Sequence, residues 1–380
     1  MRFHKIRLKT AFYLLCLLFL AGCEEPYTPE VLESSNNLLV VSGFINSNGP
    51  TTIQLSRTQN LSESSAPLKV TNATVAVEEE NGEKFPLLET AAGTYSSSTL
   101  NLNPARKFRL YIKAAGKEYA SDYVVVQMTP AIDAVTWEAA SDGLQIKVST
   151  HDAQNSTRYY RWEYEETWEY QAFFHSVIEY VNKEFIDRTP DKMINLCYRF
   201  NNSTSIQISN TVKLSQDVVS NFLLVKVPAN SDKLDRKYSI LVKQYAQTKE
   251  SYEYWEALKK NTESLGSLFD PLPTQLTGNI QCLTTPSEPV IGFISISSVT
   301  EQRIFVTNAE LPGKWRSPSP YCTFDTVLVG KEAEYFSSGS NVPIDRIYSN
   351  NMSLIGYAGA SKPCVDCRVL GTTTKPAYWE

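Results

Sequence analysis

Histidine is almost missing from this chain. Its 380 residues include three, and His4 belongs to the N-terminal leader, which leaves His151 and His175. A Ser–His–Asp triad would have to recruit one of these, and neither stands near a nucleophile-elbow pattern. HExxH, glycine-rich phosphate loops and EF-hand loops are absent from the sequence. The single CxxC, made by Cys364 and Cys367, lacks the second pair that a zinc site of this type uses. Neither a metal nor a cofactor is expected. Carboxylates are plentiful, but no spacing singles out an acid pair of the glycosidase kind, so the chain is read as non-enzymatic.

Long apolar runs are lacking too. The only one covers residues 11–20, short of the ~20 residues that span a bilayer. Positive charge is in deficit: 36 Lys and Arg stand against 41 Asp and Glu. Removing the leader takes four bases and no acid, leaving 32 against 41, a net charge of −9. That balance excludes nucleic acid as a partner, because such binding rests on cationic neutralisation of phosphates. It also excludes electrostatic docking on anionic lipid.

What the N-terminus does contain is an address. Arg2, Lys5, Arg7 and Lys9 precede the apolar run, and Leu20-Ala21-Gly22-Cys23 closes it, the layout of a secretory signal over residues 1–22. The cut site resembles a bacterial lipobox, in which Cys23 is lipidated and becomes the mature N-terminus. Stable anchoring takes more than one acyl chain, and a bacterial lipoprotein carries several. Residues 23–31, with Glu24, Glu25, Pro26, Pro29 and Glu30, read as an extended tether. Acids directly after the lipidated cysteine resemble the surface-export signal of Bacteroidota lipoproteins. The expected location is the outer membrane, surface-exposed, with the periplasmic face as the alternative.

Residues 32–129 read as seven or eight short strands in a β-sandwich. Val75 and Val77 alternate with Thr74, Ala76 and Glu78. Asn81-Gly82 marks a hairpin, and Phe108, Leu110 and Ile112 alternate with Arg109, Tyr111 and Lys113. The cadence, including Gly43-Phe44-Ile45 and Gly93-Thr94-Tyr95, resembles carboxypeptidase-regulatory-type domains, which position or recognise rather than catalyse. Pro130 marks a boundary. Residues 130–330 read as a second β-sandwich-like domain carrying a helix at about 249–265, capped by Thr248 or Ser251. Tyr254, Trp255, Leu258, Thr262 and Leu265 form one stripe of that helix and are assigned to core packing. The fold class is therefore mainly β, with two immunoglobulin-like or transthyretin-like sandwich modules, the second with a helical insertion. A disulfide-stapled, loop-rich segment follows at 331–380.

The most aromatic stretch lies at 159–174. Tyr160, Trp162 and Tyr164 share one face of a strand and Arg161, Glu163 and Glu165 the other. A buried sandwich face is one reading. The other is an exposed platform for sugar rings or peptide, formed by Tyr160, Trp162, Tyr164 and Trp168. Of seven cysteines, Cys16 leaves with the leader and Cys23 is lipidated. Cys197, Cys282, Cys322, Cys364 and Cys367 remain, an odd number, so one thiol is free or bonded between molecules. An oxidising compartment favours disulfides. Cys364 and Cys367 are expected to reach separate upstream partners, Cys322 foremost, with a local bridge between the two as the alternative. Asp325-Thr326-Val327 resembles the Bacteroidota O-glycosylation tripeptide.

Several pieces in order carry a family resemblance: Leu20-Ala21-Gly22-Cys23, Val40-Val41-Ser42-Gly43 and Tyr252-Glu253-Tyr254-Trp255. They continue with Leu268-Phe269-Asp270-Pro271-Leu272-Pro273, Gly278-Asn279-Ile280, Cys364-Val365-Asp366-Cys367-Arg368 and the closing Tyr378-Trp379. Together they resemble the Bacteroidota lipoproteins of the domain-of-unknown-function 4249 family over nearly the whole mature chain. The resemblance implies an envelope lipoprotein, often encoded beside a TonB-dependent outer-membrane receptor, and no catalytic residue. The expected function is that of an accessory or binding partner of such a transporter, membrane-held through the lipid on Cys23. The alternative is an independent surface module that binds a glycan or peptide.

Overall fold

The computed structural model describes residues 37–59, 65–263, 276, 278–313, 315–317 and 321–379. The leader, Cys23 and the tether lie outside the described residues, as do Leu265 and residues 268–273. The first module begins with β1 (Leu39–Asn46), β2 (Pro50–Arg57), β3 (Thr74–Glu79) and β4 (Lys84–Ala91). It continues with β5 (Thr94–Thr99), β6 (Lys107–Ala114), β7 (Lys117–Ser121) and β8 (Val124–Val125). Alternation dictates the layers: Phe108, Leu110 and Ile112 of β6 are buried while Lys107 and Lys113 face water. The turn at Asn81-Gly82 is present, with Gly82 at φ 97°.

The second module opens with β9 (Ile132–Ala140), β10 (Gly143–Asp152) and β11 (Tyr159–Gln171). A small hairpin, β12 (Ile178–Val181) and β13 (Glu184–Asp187), branches off before β14 (Leu196–Asn202), β15 (Gln207–Asn210), β16 (Asp217–Pro228) and β17 (Lys237–Gln247). One layer is β16–β10–β9; the other runs β14–β11–β17 and on to β20, with β15 also on β11. Helix α1 (Lys249–Glu263) follows β17. Its first turn is capped by Thr248, whose Oγ1 accepts from the Ser251 N–H at 3.2 Å.

After α1 the chain goes back to the first module. β18 (Ile280–Cys282) pairs antiparallel with β7, and β19 (Ile296–Ser297) pairs parallel with β1. The first module's sheet therefore runs β18–β7–β6–β3–β4–β5–β2–β1–β19, with β8 on β6. Ile280, Cys282, Val290, Ile294 and Ile296 share its core with Leu39, Ile53, Phe108 and Tyr119. This corrects the boundary expected at residue 129, because the first module closes only with residues 280–297. A parallel partner some 250 residues downstream leaves no local periodicity or turn signal to read. Gly292 makes the approach possible. Its φ is 133°, and a Cβ there would stand 2.1 Å from the Val41 carbonyl oxygen. β20 (Val299–Thr307) then returns to the second module beside β17. Thr129 holds the crossing point: its N–H donates to Ser298 Oγ at 2.8 Å and its Oγ1 accepts from the Ala246 N–H at 3.0 Å.

The C-terminal segment corrects the expectation of a loop-rich tail. β21 (Asp325–Leu328), helix α2 (Glu332–Phe336), β22 (Asn341–Tyr348) and β23 (Leu354–Ser361) form a sheet in the order β21–β23–β22. The β12–β13 hairpin packs on it, with Tyr180 and Phe185 against Phe336 and Tyr357. A short helix α3 (Lys362–Val365) ends the unit. The chain is mainly β, with sandwich modules and two disulfides toward its C-terminus. Among the described residues no helix is long and apolar enough to cross a membrane.

Candidate functional site

The four aromatic residues considered as a binding platform are core. Tyr160 is 0% exposed, Trp162 1%, Tyr164 7% and Trp168 4%. They face the β16–β10–β9 layer, so no ring is offered to a ligand. Trp162 stacks on Tyr160 at 5.7 Å and on Phe222 at 4.8 Å. Its Nε1 donates to Gln244 Oε1 at 2.8 Å, so the indole's one polar atom is matched inside the core. Tyr160 donates to Asp217 at 2.5 Å. Burial first, then that carboxylate, pushes the Tyr160 hydroxyl far above its ordinary value. The platform reading is withdrawn for these residues, because a strand with a covering layer must bury its apolar face.

The opposite face of β11 carries α1. The Arg161 guanidinium lies 4.4 Å from the Tyr245 ring and 4.5 Å from the Trp255 ring, an arrangement of cation–π character. Tyr254 rests on Phe293 at 5.2 Å. In α1 only Ser251 is buried. Of the stripe assigned to core packing, Tyr254, Trp255 and Leu258 are half-buried and Thr262 is exposed, and Leu265 lies outside the described residues. The helix is held by the Arg161 guanidinium under Trp255 and by ring contacts of Tyr252 with Tyr159 and Tyr254 with Phe293.

The cysteines assemble the C-terminal unit. Cys197 on β14 bonds to Cys367, and Cys322 to Cys364, while Cys282 is a buried free thiol. Cys364 and Cys367 thus reach separate partners, and each sulfur is committed to a disulfide and unavailable as a zinc ligand. Cys23, the expected lipidation site, lies outside the described residues. His151 stands on β10 with Nδ1 2.8 Å from Asp133, and His175 is exposed.

Between the β12–β13 hairpin and the turn after α3 lies a cleft of about 410 Å³. Arg188, Lys192, Lys362 and Arg368 line it together with Glu179, Asp191 and Asp366. The Arg188 side chain is 8% exposed. Its Nε donates to Ser176 Oγ at 3.0 Å, and Nη1 to Glu179 and to the Lys192 carbonyl at 3.4 and 3.3 Å. Burial, opposed by Glu179 and aided by Arg368, holds the guanidinium below the usual arginine value. Arg368 makes a two-pronged pair with Asp366, both bonds at 2.8 Å. Burial raises the Asp366 carboxyl, but Arg368's hydrogen bonds outweigh it and hold the group below the usual carboxylate range. Charged side chains converging on a cleft can hold a small polar molecule in one orientation. Sequence reasoning missed Arg188, Lys192 and Glu179, which fall in a stretch with no clear period. The one legible signal was the Cys364-Val365-Asp366-Cys367-Arg368 run, whose Asp and Arg lie between and beside two bridged cysteines.

At one end of the β21–β23–β22 sheet, large apolar side chains face water. Leu328, Val329, Tyr348, Met352, Leu354 and Ile355 are 38–81% exposed. Register brings them together: Tyr348 pairs with Leu354, Leu328 with Gly356, and the Val329 N–H donates to the Ile355 carbonyl at 3.4 Å. Single apolar residues on a surface are ordinary; these six lie at neighbouring strand ends of one small sheet, on both of its faces.

Comparison with known proteins gives a family and little else. Residues 24–303 match the family described as Domain of unknown function (DUF4249), a stretch that ends before β21. No curated protein matches the chain. Among solved structures, a two fibronectin type-III domain segment from chicken tenascin is similar at 9% identity and a TM-score of 0.16, covering 54% of this chain and 88% of that one. A DUF4785 family protein from Legionella pneumophila is similar at 10% identity and a TM-score of 0.17, covering 54% and 51%. Likeness at that level carries no argument about function.

Proposed function

The chain belongs to the DUF4249 family, and from that premise we propose that it is a non-enzymatic outer-membrane lipoprotein, tethered through Cys23, that serves as accessory partner to a TonB-dependent transporter. The exposed apolar end of the β21–β23–β22 sheet carries the reading. Six large side chains, Leu328, Val329, Tyr348, Met352, Leu354 and Ile355, are left in water there at neighbouring positions of one small sheet. Protein partners are the usual cover for such a patch. The family resemblance supports the kind of partner, and the N-terminal lipobox supports the membrane and the tether.

The test is affinity purification of the tagged lipoprotein from outer membranes in mild detergent. Stoichiometric recovery of a TonB-dependent receptor is expected, and Met352→Glu with Ile355→Glu should abolish it while leaving folding intact. Recovery of the wild-type lipoprotein alone sinks the partnership. That outcome would favour an independent surface module for a glycan or peptide, a reading supported by the polar cleft.

A further inference from the structure

We propose that the cleft between the β12–β13 hairpin and the turn after α3 is a binding site for a small carboxylate-bearing molecule, held by Arg188, Arg368 and Lys362. The inference rests on side chains distinct from the apolar end of the sheet and stands whether or not a transporter partner exists.

The first argument is donor geometry. Arg188 commits Nε and Nη1 to Ser176, Glu179 and the Lys192 carbonyl. Its Nη2 donates to nothing among the described residues. Arg368 commits Nε and Nη2 to Asp366, and its Nη1 is likewise free of them. Arg188 is held by Ser176, Glu179 and the Lys192 carbonyl, Arg368 by Asp366, and each keeps one terminal nitrogen in reserve. That arrangement orients one terminal nitrogen of each guanidinium before a ligand arrives, and a carboxylate offers two oxygens to such charged donors. The Arg188 side chain is more than nine-tenths buried, so the donor it keeps is held in place before a ligand arrives.

The second argument is charge. Four cations and three acids line the cleft, a formal surplus of one. A monoanion neutralises it. A phosphate, carrying close to two charges, would overshoot and face Glu179 and Asp191. Lys362 is exposed and makes no ion pair among the described residues, although it lies within electrostatic reach of Asp366. Glu179 and Asp191 remain as acceptors for a ligand's hydroxyl or ammonium groups. The volume, about 410 Å³, lies within the range of small-ligand sites. The two disulfides bracket the site: Cys364 and Cys367 flank Asp366, and their bonds to Cys322 and Cys197 hold that turn against the rest of the fold.

The experiment is a thermal-unfolding titration of the mature chain with malonate and galacturonate, against malonamide and galactose, at constant ionic strength in chloride. At least one carboxylate should raise Tm saturably while its neutral counterpart does not. Lys362→Glu and Arg368→Gln should each weaken that binding by about tenfold or more, the loss of one charge-assisted contact. Arg368→Gln leaves Asp366 without its partner and can fail to fold; Lys362→Glu, on an exposed side chain, then decides alone. The proposal is overturned if neither carboxylate exceeds chloride, if the neutral compounds shift Tm equally, or if Lys362→Glu binds like the wild type. A larger shift with inorganic phosphate than with either carboxylate overturns the assignment of the ligand class.

Discussion

The Val41 N–H donates to the Ile291 carbonyl at 2.8 Å, and the Ile291 N–H donates back to the Leu39 carbonyl at 2.9 Å. Two segments with β9–β17 and α1 between them in the chain are thereby stitched into one sheet edge. Both modules are discontinuous: β9–β17 and α1 lie between the first module's β8 and its β18, and β20 rejoins the second module after β19.

A fragment of residues 37–129 should therefore not fold as a monomer. It lacks β18, β19 and five core side chains from Ile280 to Ile296, of which the four aliphatic ones are each worth about 1.5–3 kcal/mol when buried. Supplying residues 278–298 through a short linker should restore a cooperative transition by circular dichroism. In the full chain, Gly292→Ala should destabilise this module, since its Cβ would meet the Val41 carbonyl. A cooperative transition in the bare fragment would show that the return strands are an accessory to the module.

Much of the fold was legible because its signals are local. Phe108, Leu110 and Ile112 announce an inward face, and Asn81-Gly82 a turn. Trp162 and Tyr160 were read as core or platform, and only the layer containing Phe222 decides between the two. What could not be read depends on partners far along the chain. β19 is two residues long, and its parallel register with Ile45 has no trace in either segment. Arg188 is an unremarkable arginine in sequence and becomes a cleft residue because Ser176, Glu179 and the Asp366 turn meet around it. The α1 stripe was legible as the side that packs, but helical period does not report that its packing surface includes the Arg161 guanidinium together with Tyr159 and Phe293.

Breaking the Cys197–Cys367 bond should loosen the C-terminal unit. The bridge closes a separation of 170 residues, and a native disulfide over a long loop contributes about 2–5 kcal/mol. Cys197→Ser with Cys367→Ser should lower the urea midpoint by a corresponding amount, and the loss should be largest for tryptophan signals near Trp379, which packs on Tyr198 at 5.3 Å. Adding reductant to the wild type should reproduce much of the loss. An unchanged midpoint in the double variant would show that strand pairing alone carries the unit.

Trp162→Ala should unfold the second module. Removing a buried indole costs about 3–5 kcal/mol, and it strands Gln244 Oε1 as well. Trp162→Phe should cost less, since the ring stack with Tyr160 and Phe222 survives and only the hydrogen bond is lost, about 1–3 kcal/mol. Near-ultraviolet circular dichroism and urea titration separate the two. A Trp162→Ala protein with wild-type stability would put the indole back among candidates for ligand contact.

Acid should weaken the loop between β10 and β11 in a defined window. The Asp152 carboxylate accepts from the Gln154 and Ser156 N–H groups at 2.9 Å, from Ser156 Oγ at 2.7 Å and from the Thr157 N–H at 2.8 Å. Burial raises this carboxyl, but those four bonds outweigh it and hold it well below the usual range. Its folded value therefore lies under the ~3.9 of an unfolded aspartate. The stabilisation is complete above about pH 4 and is lost as pH falls from there toward the folded value. Nearby His151 works the other way. The Asp133 hydrogen bond raises it, so its contribution is full below the ordinary imidazole range and does not change under pH 4. Asp152→Asn keeps one acceptor oxygen and removes the charge. The stability gap between wild type and Asp152→Asn, measured by urea titration, should be constant from neutral pH to about pH 5 and shrink as the buffer is taken below about pH 4. A gap that stays level down to about pH 2 would mean that the loop is held by hydrogen bonds indifferent to the carboxylate's charge.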